Sequence, residues 1–235
     1  MQRALRRLTL LAAAGGLVVA GCGSAEDSAE DKSDAGDSAN SAGSSPSADL
    51  TGQGGIVVAG SDISDDASDT GSPVEVVVYE DFQCPYCKQL EESVGDDLED
   101  SMENGDITVE YRIVSFLDKA SPNEYSSRAA NAALCVFDAA GPGVFHDFHG
   151  ELFEDQPDEG SAGPEDDELI AVASDEGADV EKCINDKAMG DQVTKSTDLM
   201  ADEGVTGTPA VFVDGEQVEI DSESAVQDAI ESAVG

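Results

Sequence analysis

Three stretches of this 235-residue sequence predict an α/β fold interrupted by a helical insertion. The β-branched run Val74-Glu75-Val76-Val77-Val78 has the composition of a buried strand. Leu90, Val94 and Leu98 follow at intervals of four, which is helical spacing. Near the far end, Thr208-Pro209 leads into a second short apolar strand, Ala210–Val213. The segment between them, residues 121–203, carries helical rather than strand periodicity. Strands are therefore expected from both ends of the folded region and helices from its middle.

Taken in order, Met1 to Gly21 has the three parts of an export signal: Arg3, Arg6 and Arg7, the apolar run Leu8 to Ala20, and small residues to close it. The run is short for a membrane span. Val19-Ala20-Gly21-Cys22 resembles the lipobox of bacterial lipoproteins, which implies lipidation at Cys22; an ordinary secretory signal is the alternative. Residues 22–55 are Ser, Ala, Gly, Asp and Glu with almost no large apolar side chain, the composition of a disordered acidic tether. Ile56-Val57-Val58 suits an edge strand, and 61–72 an acidic loop. After the helix carrying Leu90 to Leu98, Asn104-Gly105 is a stop, and Ile107 to Val114 alternates as the next strand. A strand–helix–strand unit of this kind predicts parallel strands.

Ser121-Pro122 opens the insertion. Tyr125, Ala129, Ala132, Ala133, Val136 and Phe137 recur at helical spacing up to Gly141-Pro142-Gly143. Further helices are expected over 144–153, 165–174, 180–186 and 187–203. Asp214-Gly215 is a two-residue hairpin turn between Ala210–Val213 and a partner strand at Glu216–Ile220. A last helix begins near Ser222 and Ser224.

Chemistry is concentrated at Cys84-Pro85-Tyr86-Cys87, where the strand gives way to the helix. Unpaired N–H groups and the positive dipole end of a helix stabilise an anion, so Cys84 is expected to favour thiolate and to sit exposed. Cys87, one turn further in, is placed to attack a mixed disulfide formed at Cys84. The pair predicts thiol–disulfide exchange. A bare C-x-x-C also suits structural zinc; the strand before it and the helix after it favour redox chemistry.

The strand–Cys84-Pro85-Tyr86-Cys87–helix unit, together with Gly204-Val205-Thr206-Gly207-Thr208-Pro209 before the second strand, resembles the thioredoxin superfamily. Within it the chain is similar to the DsbA-like disulfide oxidoreductases of bacterial envelopes, from Val74 to the C-terminus. The resemblance implies a thioredoxin-like fold with an inserted helical domain, divided as 56–120, 121–203 and 204–235. It implies that Cys84 is the nucleophile and Cys87 the resolving thiol. Pro85 and Tyr86 would set the redox poise, and Thr208 with a cis Pro209 would border the bound peptide. Reduced exported proteins would be the substrates, with no cofactor. A quinone-linked membrane partner of the DsbB or vitamin K epoxide reductase type would restore the disulfide. In one respect the sequence departs from its relatives. Many carry a Glu six residues before the first cysteine, where Val78 stands here. Glu80 and Asp81 lie nearer, and Asp81 is read as a cap or turn acceptor ahead of the helix.

Five cysteines support an exported, oxidising setting. With Cys22 lipidated, two pairs remain. Cys135, on the apolar face near Ala132 and Val136, is expected to form a structural disulfide with Cys183, whose short helix has little apolar area of its own; a redox relay to Cys84 is the rival role. His146 and His149 stand three apart in an aromatic stripe with Phe145, Phe148 and Phe153, and are read as packing rather than as metal ligands.

Charge narrows the partners. Against 52 acidic residues stand 11 basic ones, for a net charge of −41. Such a surface repels nucleic acid and anionic lipid. The acids are spread along the chain and no D-x-[DN]-x-[DN]-G loop is present, so a solvated surface suited to high salt is expected. The leading function is an extracytoplasmic oxidant of exported proteins, lipid-anchored through Cys22. The alternatives are a disulfide isomerase or reductase, a zinc module using Cys84, Cys87, Cys135 and Cys183, and a redox-inactive scaffold. Residues 23–72 are too polar to build the dimerisation domain common among isomerases, so a monomer is expected.

Overall fold

The computed structural model describes residues 50–222 and 224–235. The expected export signal, the lipidation site Cys22 and the tether up to residue 49 lie outside the described residues. Among the described residues, no helix is long and apolar enough to cross a membrane.

Five strands, β1 (Ile56–Val58), β2 (Val74–Glu80), β3 (Ile107–Ile113), β4 (Ala210–Val213) and β5 (Glu216–Gln217), form one mixed sheet in the order β1-β3-β2-β4-β5. β2 runs parallel to β3, with Val76 opposite Val109, and antiparallel to β4, with Val78 opposite Val211. β1 pairs antiparallel with the outer side of β3. The central strand needs its unbroken Val run because both of its faces are covered. Val76 and Val78 enter the large core, whereas Val77 and Tyr79 join Met200 and Val205 on the opposite face. By the period of two, Glu80 falls on the Val76 and Val78 side.

Among the described residues, eight α-helices surround the sheet: α1 (Gly60–Ile63), α2 (Pro85–Glu103), α3 (Tyr125–Ala140), α4 (Pro142–Glu154), α5 (Asp166–Asp175), α6 (Glu181–Asn185), α7 (Gly190–Asp202) and α8 (Ala225–Val234). Helix α2 buries Cys87, Leu90, Val94, Leu98 and Met102, a single stripe that packs on the sheet. Each fully buried Val or Leu contributes roughly 1.5–3 kcal/mol over its exposed state. α3 is the hub of the insertion. Ala129, Ala130, Ala132 and Ala133 are buried, and these small side chains let α4, α5, α6 and α7 all pack against one helix. A disulfide between Cys135 and Cys183, with Cα atoms 5.9 Å apart, ties the five-residue α6 to this hub.

Several elements differ from the expectation. α4 starts at Pro142 rather than at 144, since proline at the first helical position loses no hydrogen bond. The last strand stops at Gln217 instead of Ile220. One further bond, Val218 N–H to Val211 O at 2.8 Å, continues the ladder. β5 is an exposed edge strand with no outer neighbour among the described residues, so none of them holds a longer pairing. The Asp214-Gly215 turn has φ of 49° and 80°, the two positive values its two-residue loop requires. The stretch 61–72 is not wholly loop, because α1 forms at its start. A Cβ on Gly60 would collide with the Met102 carbonyl, so glycine allows α1 to lie against the end of α2.

Residues 50–55 have the composition of the tether but are held to the sheet. Thr51 Oγ1 donates to Glu110 Oε1 at 2.6 Å, and Gln53 accepts from Arg112. Arg112 also donates to Glu110 (3.0 Å) and to Tyr79 Oη (2.7 Å), and pairs with Glu203 (3.2 Å). The reason is electrostatic. Glu110 and Arg112 lie on the buried underside of β3, and buried charges need a full set of partners.

Candidate active site

The loop from β2 into α2 is fixed before any cysteine is reached. Asp81 is buried and accepts three hydrogen bonds: from Gln83 N–H (2.9 Å), Ser126 Oγ (2.7 Å) and Leu117 N–H (2.9 Å). It is thus a turn acceptor, as read from the sequence, and not the helix cap. That position belongs to Cys84, which precedes the helix rather than lying inside it. Pro85 takes the first helical position, Tyr86 projects outward with 66% of its surface exposed, and Cys87 occupies the third. The insertion reaches over this corner. Gln156 Nε2 donates to Cys84 O at 3.0 Å, Gln83 Nε2 to Ser161 O at 2.9 Å, and Lys88 Nζ to Glu154 O at 2.8 Å.

Cys84 and Cys87 are free thiols, so the protein is described in its reduced form. Opposite them, the Thr208–Pro209 peptide bond is cis. As a thiol, Cys84 donates to the Thr208 carbonyl at 3.3 Å. The expected exposure of Cys84 does not hold: only 4% of its surface is open. The physical reason is the approach of Thr208 from one side and the hold of Gln156 on its carbonyl from the other.

Electrostatics separates the two sulfurs. The Cys84 pKa is lowered to about 6, first by a hydrogen bond from the Cys87 thiol. Burial opposes that shift, while the Thr208 side chain and the N–H groups of Cys87 and Tyr86 add to it. Cys87 is pushed far upward, first by burial and then by the neighbouring Cys84 sulfur, with Glu80 adding to the effect. At neutral pH one sulfur is a thiolate and the other keeps its proton.

A groove of about 800 Å³ opens beside the pair. Tyr86, Leu90, Thr208, Pro209, Ile220 and Val226 line it, with Glu92 and Asp221 among its polar lining residues. Pro85, Tyr86, Thr208 and Pro209 are therefore gathered at one edge of the fold with Cys84. Cys135 and Cys183 are not, being bonded to each other within the insertion. That bond removes the zinc alternative that needed all four thiols. Among the described residues, no group of three or more His, Cys, Asp or Glu side chains is placed to hold a metal ion.

Sequence reasoning missed one pair. His149 Nε2–H donates to Glu80 Oε1 at 2.6 Å, and both side chains are buried. His146 lies half-buried and does not join them. Glu80 stands two residues beyond Val78, the position where relatives carry their acid, and a step of two along a strand keeps the same face. That spacing was the available signal.

The family model described as Thioredoxin matches residues 69–232. The serine/threonine-protein kinase PknE of Mycobacterium tuberculosis is 31% identical over 157 residues, which cover 63% of this chain and 28% of the kinase. The chain thus spans little more than a quarter of the first curated relatives it matches. Among solved structures, the reduced disulfide bond oxidoreductase DsbG from Mycobacterium tuberculosis superposes with a TM-score of 0.66 at 32% identity, covering 77% of this chain and 88% of that one. DsbA from the same organism gives 0.64 at 32%, over 77% and 92%.

Proposed function

The chain belongs to the thioredoxin family, and on that premise we propose that it is a protein-disulfide oxidoreductase that introduces disulfides into exported proteins through Cys84 and Cys87. The observation that carries this reading is the asymmetry of the two sulfurs, one held near pKa 6 and the other buried and pushed up, beside Thr208 and Pro209.

The oxidised protein carries a Cys84–Cys87 bond. A substrate thiolate attacks Cys84 Sγ, the Cys84–Cys87 bond breaks, and its electron pair leaves on Cys87, which takes a proton. A second substrate thiolate then attacks the substrate sulfur of the mixed disulfide and expels Cys84 as thiolate. The substrate loses two electrons and the cysteine pair gains them. Expulsion of Cys84 is favourable because its thiolate is the stable form at neutral pH. Tyr86, Thr208 and Pro209 border the groove that receives the substrate chain, and Pro85 sets the turn between the sulfurs. The Cys135–Cys183 disulfide serves structure.

The same reading places the chain outside the cytoplasm, exported by residues 1–21, lipid-anchored through Cys22 and held off the membrane by an acidic tether. It acts as a monomer and is recharged by a quinone-linked membrane protein of the DsbB or vitamin K epoxide reductase type. Equilibration with glutathione tests the direction. The potential of the Cys84–Cys87 pair is expected well above the roughly −270 mV of thioredoxin, towards the roughly −120 mV of strong oxidants. A value at or below −270 mV would make the protein a reductase. Cys87→Ser should accumulate mixed disulfides at Cys84, because the resolving attack is lost.

A further inference from the structure

The groove beside Cys84 joins three kinds of surface that one class of side chain can use together. Tyr86 is 66% exposed, and no aromatic or cationic group among the described residues stacks on its ring. Leu90, Ile220 and Val226 give the lining an apolar part, and Ile220 is itself 41% exposed. Glu92 from α2 and Asp221 from the segment after β5 add two exposed carboxylates. Neither carboxylate has a hydrogen-bond or ion-pair partner among the described residues.

So acidic a chain places carboxylates on every face, and two acids decide nothing by themselves. Their company sets the groove apart. Elsewhere cations meet acids: Arg112 pairs with Glu110 and Glu203, Arg128 with Asp166, and Lys182 with Asp186. No lysine or arginine among the described residues lines the groove. Lys88, the residue after Cys87, is drawn to the insertion, with Nζ on Glu154 O at 2.8 Å. A Lys or Arg side chain of another molecule would fit what is left. Its methylene stem covers apolar surface, its head meets carboxylates, and a cation lies favourably over an aromatic face. An extended chain advances roughly 3.3 Å per residue, so the neighbour of a cysteine reacting at Cys84 stays within reach of a groove lined by Tyr86 and Thr208. Screening cuts off fields beyond about 8 Å at physiological salt. Charges in or near contact with the bound segment therefore decide which segment is preferred.

We propose that the groove selects substrate segments in which Lys or Arg stands beside the reacting cysteine, with Glu92 and Asp221 as the charges that determine the choice. The stem of the basic side chain lies on Leu90, Ile220 and Val226 against the Tyr86 ring, and its head sits between the two carboxylates. A Glu or Asp in the same place meets two like charges and no partner, which is the repulsive half of the same selectivity. A neutral polar neighbour is neither attracted nor repelled. The reaction itself is unchanged. Two substrate thiols become one disulfide, and the two electrons and two protons they lose pass to the Cys84–Cys87 pair.

The preference rests on exchange at Cys84 and Cys87, and the experiment separates the two claims. The full-length chain carrying Cys22→Ser, with its Cys84–Cys87 disulfide formed, is mixed at about 0.15 M salt with dithiol peptides. The peptides have blocked ends and differ only in carrying Lys, Gln or Glu beside each cysteine. Each second-order rate of peptide oxidation is divided by the thiolate fraction of that peptide. The Lys peptide should react roughly tenfold faster than the Glu peptide, with Gln between them, because contact attractions are exchanged for repulsions. Glu92→Gln together with Asp221→Asn should reduce that ratio to about threefold or less. Asp65→Asn together with Asp66→Asn makes the same charge change in the exposed stretch ahead of β2 and should leave the ratio as it was. Equal rates for the three peptides overturn the proposal, as does a ratio that the groove pair leaves unchanged. A ratio lowered equally by both pairs also overturns it, since the field of the whole chain would then be the cause. Dithiothreitol, which carries no fixed charge, is the reference. Failure of the disulfide to react with it would instead refute the exchange reading.

Discussion

Replacing the Cys84 thiol by a hydroxyl is the cleanest perturbation of the site, because its effect on folding must carry a particular pH signature. The Cys84 pKa falls from an ordinary 9.0 to about 6 in the folded, reduced chain. A group whose folded pKa is depressed stabilises the fold fully above its unfolded pKa, and that stability is lost as pH falls through the folded value. The full effect is about 4 kcal/mol, reached above pH 9. Within the same linkage relation, it is about 3 kcal/mol at pH 8, about 1 at pH 7 and close to zero at pH 5. Burial, the first cause of its raised pKa, keeps the proton on Cys87 in both chains up to pH 8, and the carboxylates are common to both, so neither contributes to the difference. Urea unfolding of the reduced wild type and of Cys84→Ser, each kept under reductant at pH 5, 7 and 8, reads that difference directly. The gap between the two chains should widen by about 3 kcal/mol from pH 5 to pH 8. A gap that does not change with pH would refute the depressed Cys84 pKa, and with it the reason for expulsion of this sulfur in the second step.

Two further outcomes follow from the scaffold. Replacing Cys135 and Cys183 together by Ala removes a closure spanning 48 residues and should lower stability in urea by up to about 4 kcal/mol. Thiol exchange at Cys84 should survive; its loss in a folded variant would point to a relay instead. Arg112→Met strips the cation from buried Glu110 and from Glu203. It should cost about 3–5 kcal/mol in the same assay, and residues 50–55 should become sensitive to proteases before the rest of the chain.

The strands and the redox corner were legible in the sequence because their signals are local. The Val74–Val78 run, the stripe from Leu90 to Leu98 and the Asp214-Gly215 turn each state their conformation within a few neighbouring residues. Elements settled by distant partners were less legible. The burial of Cys84 depends on Thr208 and Gln156, 124 and 72 residues away. Residues 50–55 look like tether because their side chains are polar, and they are ordered because a buried Arg112 and Glu110 need those same polar groups. His149 sat in an aromatic stripe that fits a packing role, and only the partner on β2, 69 residues earlier, gives it another. The alternation Val76, Val78, Glu80 did encode the face of that acid. What it left open was whether an opposing charge faced it, which depends on how α4 docks.

Gln156, Ser126, the Ser161 carbonyl and the Glu154 carbonyl all belong to the insertion, and all of them grip the corner that bears Cys84. The insertion is therefore not an accessory that can be cut away to leave a minimal reactive half. A chain spliced from residue 120 to residue 204 would keep both cysteines and Pro209 yet lose every one of these clamps, along with the imidazole that pairs with Glu80. Transplanting Cys84-Pro85-Tyr86-Cys87 into a bare thioredoxin would likewise move the letters of the motif without the surroundings that give its two sulfurs different characters. The reactive unit is thus larger than its signature, and its natural boundary runs along the far side of the helices.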